Sequence, residues 1–553
     1  MRIESGDRAS LSRRSLVSGS IAVLVLVRLV SWINTALVSR DSLTYIELAR
    51  YWLTGQIEKA LAHPYHPLYP MMIAGMAKIG GGSLEHAAMG VSLVASALTV
   101  PALVILFYRY RNERIVFLGL LFFCVSPYLV RYAADILTEP LYLFFVAWAV
   151  ALFLLAVSSR MALGWFAMAG VSVGLAYLTR PEGLVVGVAG VVWLVVTEWT
   201  SLKRWGWGLV VFLVSVSCVA APYMVYLHRE SGEWILTKKK KIETFVRHAY
   251  GESGVVKKGQ QIEGPMVKTL PKGVDKKRAE FLRNRSKWEW EQADRIRQAL
   301  GRRYVPHVET PSSVVGFLVI FLKSMAITAF GFFHAMFLPI GIFVVFRLFY
   351  LNRFPWNKFD TFIVIFSLLY WGMLSALLSG YGYVSRRHYC AAIVFWFGWA
   401  AIGFTYVCDM LDRRIASQFF DQKIFGSILL SLVLVVTVVK GTKPYRVEKV
   451  GRKIVGAWIK KRKPSQTDCV ILTSMIRIGY YAGCHSIPFY RVREEDVDAL
   501  RRHKIAFVIL KRKEAATAPS FLNLLKKFGY QEVYRYTNTL GNQDLLVYSY
   551  RRT

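Results

Sequence analysis

Residues 140–158 read PLYLFFVAWAVALFLLAVS, nineteen positions without one charge. At 1.5 Å per residue a helix of that length reaches about 28 Å, close to the roughly 30 Å hydrocarbon core of a bilayer. It is apolar on every side, which suits lipid or protein surroundings rather than water. Working outward, similar runs recur in both directions, parted by short polar breaks. We read eleven spans, at about 16–38, 86–107, 115–131, 140–158, 163–178, 183–198, 206–226, 335–350, 360–378, 389–407 and 424–440. The runs are continuous and do not alternate, which excludes a barrel. The expected fold class is a polytopic α-helical membrane protein.

The whole chain agrees with that stretch. Of its 553 residues, 55% are hydrophobic and 19% charged, whereas a soluble domain averages about 45–50% and 25%. This excludes an ordinary soluble enzyme. Lys and Arg number 70 against 35 Asp and Glu, a formal charge of +35. In a soluble chain that balance would suggest nucleic acid. Here much of the excess lies in two long polar stretches beside spans, so anionic membrane lipids are the expected partners and nucleic acid is not. Six cysteines without a CxxC pair argue against a zinc or redox centre. Cys124, Cys218, Cys390 and Cys408 read as packing residues, while Cys469 and Cys484 can form a disulfide if their domain is extracytoplasmic.

Basic residues in short loops orient the spans. With the N-terminus inside, 16 basic residues fall in inner segments and 8 in short outer loops. The first run lacks a small-residue cleavage site and reads as an uncleaved anchor despite Arg13 and Arg14 before it. The expected topology is a multi-pass protein of the cytoplasmic membrane, N-terminus cytoplasmic, tail extracytoplasmic. An outer loop, 39–85, carries two helices expected to lie in the interface. In DSLTYIELARYWLTG, Leu43, Ile46 and Ala49 share one face, Tyr45, Leu48 and Trp52 the next, and Glu47 and Arg50 the opposite one. HPLYPMMIAGMAKIG is the second, and 314–333 is a third or part of a long span. A basic outer loop, 227–311, includes Lys238–Lys241, Trp288 and Trp290 and is a candidate cover for a site. Residues 1–440 form the multi-span domain. A basic linker (441–463) leads to a small α/β domain (464–553), whose strands DCVILT, IPFY, IAFVIL, YQEVYRY and DLLVYSY alternate at first with helices around Arg477–Gly483, Glu494–His503 and Ser520–Phe528. It has no GxGxxG and is assigned no nucleotide.

Under this topology the unusual polar clusters share one membrane surface. They are Arg40-Asp41, His63 to Tyr69, Arg131 to Glu139, Arg180-Pro181-Glu182, and Tyr381 to Tyr389 with Arg386, Arg387 and His388. Guanidiniums beside carboxylates suit a site that binds phosphate and moves a proton. Each cluster also has a plain structural reading: Asp41 as a helix cap, Asp135 and Glu139 as acids at a helix start, Arg180 and Glu182 as a local pair, Arg386 and Arg387 as snorkelling anchors, His63 and His66 as loop residues. Arg28, in mid-span, needs a partner, either a carboxylate or a lipid phosphate.

The order of these motifs, an acid after the first span, then His66-Pro67-Leu68-Tyr69-Pro70, Asp135-Ile136-Leu137-Thr138-Glu139-Pro140 and Thr179-Arg180-Pro181-Glu182, resembles the glycosyltransferase C superfamily. The nearest groups are the protein O-mannosyltransferases, the lipid A aminoarabinose transferases and bacterial transferases related to those that add galacturonic acid to lipopolysaccharide. The resemblance covers roughly 15–440, and the tail is similar to those of many bacterial members. It implies inverting transfer of a sugar from a polyprenyl-phosphate carrier to a glycolipid, polysaccharide or protein hydroxyl on the outer face. It places Asp41 as catalytic base with Asp135 and Glu139 as further catalytic acids. Arg180, Arg386, Arg387 and His388 fall on the donor phosphate, and Tyr45, His63, His66, Tyr69 and Glu182 on sugar or acceptor. No cofactor is implied, and a divalent ion between Asp41 and Asp135 is not favoured. Many relatives carry Asp-Glu where this chain has Asp41-Ser42, so the base assignment rests on Asp41. The rival readings are an O-antigen-ligase or polymerase type of enzyme and a lipid-linked sugar transporter or flippase.

Overall fold

In the computed structural model, the described residues are 4–159, 161–199, 202–238, 314–381, 384–415, 424–463, 469–488, 505–517, 519–537 and 544–550. Most of the basic loop 227–311 and the helix expected around Glu494–His503 therefore lie outside the described residues. The chain divides into two compact units, one of residues 1–238, 332–367 and 389–553, the other of 239–331 and 368–388.

The helices, in order, are α1 (Glu4–Ile33), α2 (Arg40–Leu53), α3 (Ile57–Ala62), α4 (Leu68–Gly80), α5 (Leu84–Phe107), α6 (Glu113–Val125), α7 (Pro127–Ala134), α8 (Glu139–Ser158), α9 (Ala162–Thr179), α10 (Gly183–Glu198) and α11 (Leu202–Ser231). Then follow α12 (Val314–Met336), α13 (Leu338–Phe346), α14 (Lys358–Tyr381), α15 (Cys390–Ile415), α16 (Ile424–Thr442) and α17 (Gly451–Arg462). The tail adds β1 (Val470–Thr473), α18 (Arg477–Ala482), β2 (His485–Pro488), β3 (Phe507–Lys511), α19 (Arg512–Thr517), α20 (Pro519–Lys527), β4 (Tyr530–Tyr536) and β5 (Leu545–Tyr550).

Among the described residues, nine helices are long and apolar enough to cross a membrane, and a tenth span results if α6 and α7 count as one. That is slightly fewer than the eleven expected. The run 115–131 is broken by a 50° bend where Pro127, which has no N–H, opens a new helix after Ser126. The run at α10 makes only 16 helical residues, and that at α13 only 9 plus a 3-10 turn of 4 (Arg347–Tyr350), too short to span about 30 Å unaided. In compensation α12, expected as an interfacial helix or part of a long span, contains a stretch long and apolar enough to span, Leu318–Met336.

In the first unit α9 lies along α8 and α11, and α5 along α8. Gly170 and Gly174, one turn apart on α9, let α11 approach. A Cβ on Gly170 would strike the Phe212 carbonyl oxygen, and one on Gly174 would come within 2.6 Å of the Val219 Cβ. Small residues at four-residue spacing are how membrane helices gain close backbone contact. Arg28 is buried, and among the described residues its hydrogen bonds go to backbone carbonyls. Its Nη1 donates to the Cys124 carbonyl at 3.2 Å, and the guanidinium lies 5.6 Å from the Phe123 ring centre. That carbonyl is in the last turn of α6, where orphan acceptors carry partial negative charge. At the opposite end of the bundle Asp360 is fully buried and accepts from Tyr110 Oη (2.9 Å), Trp399 Nε1 (2.6 Å), Arg347 Nη2 (3.2 Å) and the Asn357 amide (3.0 Å).

Helices α2 and α4, of 14 and 13 residues, are too short to span about 30 Å. Their apolar faces join Ala88, Val91 and Ala95 of α5 in one core, leaving Glu47 and Arg50 exposed as expected. In the second unit α12 and α14 meet along a polar line: Trp371 Nε1 donates to the Met325 carbonyl at 2.9 Å, the Thr328 and Ser375 hydroxyls lie 2.8 Å apart, and Ser379 donates to Ser324 at 3.0 Å.

Among the described residues the tail holds a five-stranded sheet of order β2-β1-β3-β5-β4, with β1 parallel to β2 and β3, and β5 antiparallel to β3 and β4. Both faces are covered. Ile471, Ile509 and Val547 face Val455 and Ile459 of α17 and Ile478 of α18, while Leu472, Val508, Leu510 and Leu546 face Phe521 and Leu525 of α20. Helix α17, within the stretch read as a linker, thus supplies core to the domain. Cys469 and Cys484 are joined by a disulfide.

Candidate functional site

Ser39 caps α2. Its backbone is extended (φ −69°, ψ 172°), its Oγ accepts from the Ser42 amide at 3.1 Å, and Ser42 Oγ accepts from the Ser39 amide at 3.1 Å, a reciprocal capping box. Asp41 is therefore not the cap. It is half-buried in the first turn of α2, where the helix dipole favours a negative charge. Ser42 is fully buried, and its hydroxyl reaches Asp135 Oδ1 (3.1 Å) and the Ile136 carbonyl (3.1 Å).

Asp135 ties this turn down. Its Oδ1 also accepts from the Ser39 amide at 2.9 Å, and its Oδ2 from Arg446 Nη2 at 2.6 Å. Arg446 Nη1 donates to the Leu37 carbonyl at 2.8 Å. Burial works against the charge on Arg446, yet Asp135 and Tyr445 outweigh it and hold the guanidinium pKa above its ordinary value. Arg446 has φ 61°, an uncommon conformation for a residue with a side chain. Around it the segment after α16 clasps the segment after α1. Ser31 donates to the Gly441 carbonyl (3.0 Å), Asn34 to that of Thr442 (2.7 Å), and Tyr445 pairs with Asn34 and Ala36 through backbone bonds of 2.9 and 3.1 Å. The tail domain adds two contacts: the Val38 amide donates to Tyr481 Oη at 3.3 Å, and Tyr480 bonds Glu85.

A second cluster gathers Glu139, Arg180 and Glu182. Arg180 Nη1 lies 2.7 Å from Glu139 Oε1, its Nη2 and Nε donate to the two Glu182 oxygens at 3.3 and 3.4 Å, and its guanidinium sits 5.6 Å from the Tyr142 ring centre. Two carboxylates thus hold this guanidinium from two sides. A third group is aromatic. Tyr45 stacks on Tyr65 (5.0 Å), meets Tyr69 edge-on (5.1 Å), and Tyr65 lies 4.7 Å from His63. His66 is buried 5.1 Å from the Tyr177 ring and 5.2 Å from Tyr223. In the second unit Arg386, Arg387 and His388 form a short 3-10 turn, with His388 Nδ1 2.9 Å from Ser385 Oγ.

Tyr45, His63 and Tyr69 are thus brought together, as are Glu139, Arg180 and Glu182. Asp135 and Asp41 are linked through the turn that Ser39 and Ser42 form. Sequence reading missed Ser39, Tyr445, Arg446 and Tyr481. Ser39 was accessible, as a Ser just ahead of an amphipathic run. Arg446 was not, being one of ten basic residues between 440 and 463.

The overall arrangement has known counterparts. ArnT from Cupriavidus metallidurans in the apo state superposes with a TM-score of 0.57 at 13% identity, over 96% of this chain and 98% of that one. The chain has the glycosyltransferase C fold. The same ArnT bound to undecaprenyl phosphate gives 0.55 at 13% identity, over 96% and 97%. The Archaeoglobus fulgidus oligosaccharyltransferase in complex with Zn and sulfate gives 0.55 at 11%, over 97% of this chain and 73% of that one. Residues 62–224 match the family described as dolichyl-phosphate-mannose-protein mannosyltransferase. No curated protein sequence matches. Family match and fold together indicate a membrane-embedded glycosyltransferase.

Proposed function

We propose that this protein is an inverting glycosyltransferase that moves a sugar from a polyprenyl-phosphate carrier to an acceptor hydroxyl at the outer face of the cytoplasmic membrane. The observation that carries it is Asp41, held half-buried on a helix turn fixed by Ser39, Ser42 and Asp135. Support for a lipid-phosphate donor comes from the undecaprenyl phosphate bound to ArnT and from the dolichyl phosphate in the family's description. The Cys469–Cys484 disulfide supports an oxidising compartment for the tail.

In this reading the acceptor oxygen attacks the anomeric carbon on the side opposite the phosphate. The carbon–oxygen bond to the carrier breaks, its electron pair leaves with the polyprenyl phosphate, and Asp41 takes the hydroxyl proton. Such help is worth about 10²–10⁴-fold. Arg180 meets the charge that develops on the departing phosphate, with Glu139 and Glu182 setting where its guanidinium lies. His63 and Tyr65, the half-buried rings of the aromatic group, meet the sugar or acceptor, with Tyr45 and Tyr69 packed behind them and His66 in the same loop. Asp135 acts through the turn it anchors. No cofactor enters the proposal.

The test is sugar transfer in nanodiscs with a panel of labelled polyprenyl-phosphate sugars and membrane extract as acceptor. Wild type is expected to release carrier phosphate and form product, with Asp41→Asn slowed by about 10²-fold or more. Equal rates for the two would remove Asp41 as base. No release from any donor by wild type would overturn the proposed reaction.

A further inference from the structure

Arg131, Arg446, Arg452 and Arg477 converge where the tail domain meets the turn before α2. Arg131, in the last turn of α7, and Arg446 lie over the Tyr445 ring, at 4.9 and 4.6 Å from its centre. Arg477 is in the first turn of α18, the helix whose Tyr481 accepts the Val38 amide, and Arg452 is in the first turn of α17, which packs on α18. Burial and then the charges of Arg446 and Arg452 bring the Arg477 guanidinium pKa down to about 10.

Two facts make this more than a basic surface. Three carboxylates lie near and each has other partners: Asp135 has Oδ1 committed to Ser39 and Ser42 and Oδ2 to Arg446, Glu448 pairs with Lys449, and Glu514, which with Glu448 favours the charge on Arg452, accepts from Ser474 and Lys511. Among the described residues, buried guanidinium nitrogens of three of the four arginines have no hydrogen-bond partner: Nε and Nη2 of Arg131, Nε of Arg452 and Nε of Arg477. Buried donors without acceptors are costly, and clustered cations raise that cost. A ligand with several anionic oxygens would satisfy both, since guanidinium forks match phosphate geometry.

We propose that these four arginines form a phosphate-monoester site, separate from Arg180, at the junction of the tail domain and the Asp41 turn. This inference does not depend on the proposed transfer reaction, because the site is defined by binding. Within that reaction it would hold the phosphate of a membrane-borne substrate.

The test uses the full chain in phosphatidylcholine nanodiscs. Hydrogen exchange of 445–452 and 477–481 is followed as inorganic phosphate is added at constant ionic strength, and again in discs doped with phosphatidic acid. Protection by either, lost at least about tenfold in affinity in Arg452→Gln/Arg477→Gln, supports the site. Protection by inorganic phosphate marks a site open to free phosphate, and protection by phosphatidic acid alone marks a lipid-borne ligand. No protection by either, or equal protection in the double variant, overturns it. Melting of Arg477→Gln alone in phosphate-free buffer gives an independent check, since removing a cation that burial, Arg446 and Arg452 all disfavour should leave the midpoint unchanged or raised. A lowered midpoint would mean that Arg477 is internally satisfied, and would also overturn the proposal.

Discussion

At the scale of single residues, Asp135 and Arg446 matter through each other. Their side chains are 5% and 11% exposed and their contact is 2.6 Å. Removing one partner of such a pair strands the other charge, a loss of about 3–5 kcal/mol in the most buried cases. Arg446→Gln should therefore loosen 37–42, seen as faster hydrogen exchange there, and lower the transfer rate by about tenfold to a hundredfold through displacement of Asp41. Asp135→Asn should do the same, and the double variant should be little worse than either, because the two act as one link. Additive losses would separate them. Asp41 was legible as an acid just after a span. Arg446 was not, because its partner is 311 residues away and nothing local distinguishes it from the basic residues around it.

At the scale of elements, the α9–α11 contact is the sharpest case. A side chain on Gly170 meets the Phe212 carbonyl, whereas Gly164 on the same helix has nothing within 4 Å. Gly170→Leu should lower the melting midpoint in detergent, at a cost of about 1–3 kcal/mol, while Gly164→Leu leaves it unchanged. Equal effects would show that the glycines only tune helix propensity. The long uninterrupted spans were readable because length and apolarity alone define them. The bend at Pro127 was not read, because the apolar run 115–131 continues through it and hides the missing backbone donor. The tail's strands were legible as short apolar runs set between helical patterns, but α17 read as a linker, because its lysines and arginines outnumber Val455 and Ile459, which are fully buried.

At the scale of the molecule, the tail domain is built into the site region through Tyr480, Tyr481 and α18. The Cys469–Cys484 bond closes a 15-residue loop around α18. Loop-closure entropy for that length is about 3 kcal/mol, so Cys469→Ser should destabilise the tail by up to that amount. Exchange should quicken in β1 and β2 and at Val38, with the membrane helices unaffected. Unchanged exchange at Val38 would mean that α18 holds the turn without the disulfide. The clasp between 31–37 and 441–446 has a consequence for how the protein is made. Asp41 leaves the ribosome about 400 residues ahead of Arg446, which at roughly 5–20 residues per second is about 20–80 s. During that interval the nascent chain carries its proposed base on an unanchored turn, so catalytic competence would arrive only once the last span is in place, and chains interrupted before residue 446 would be inserted yet inert.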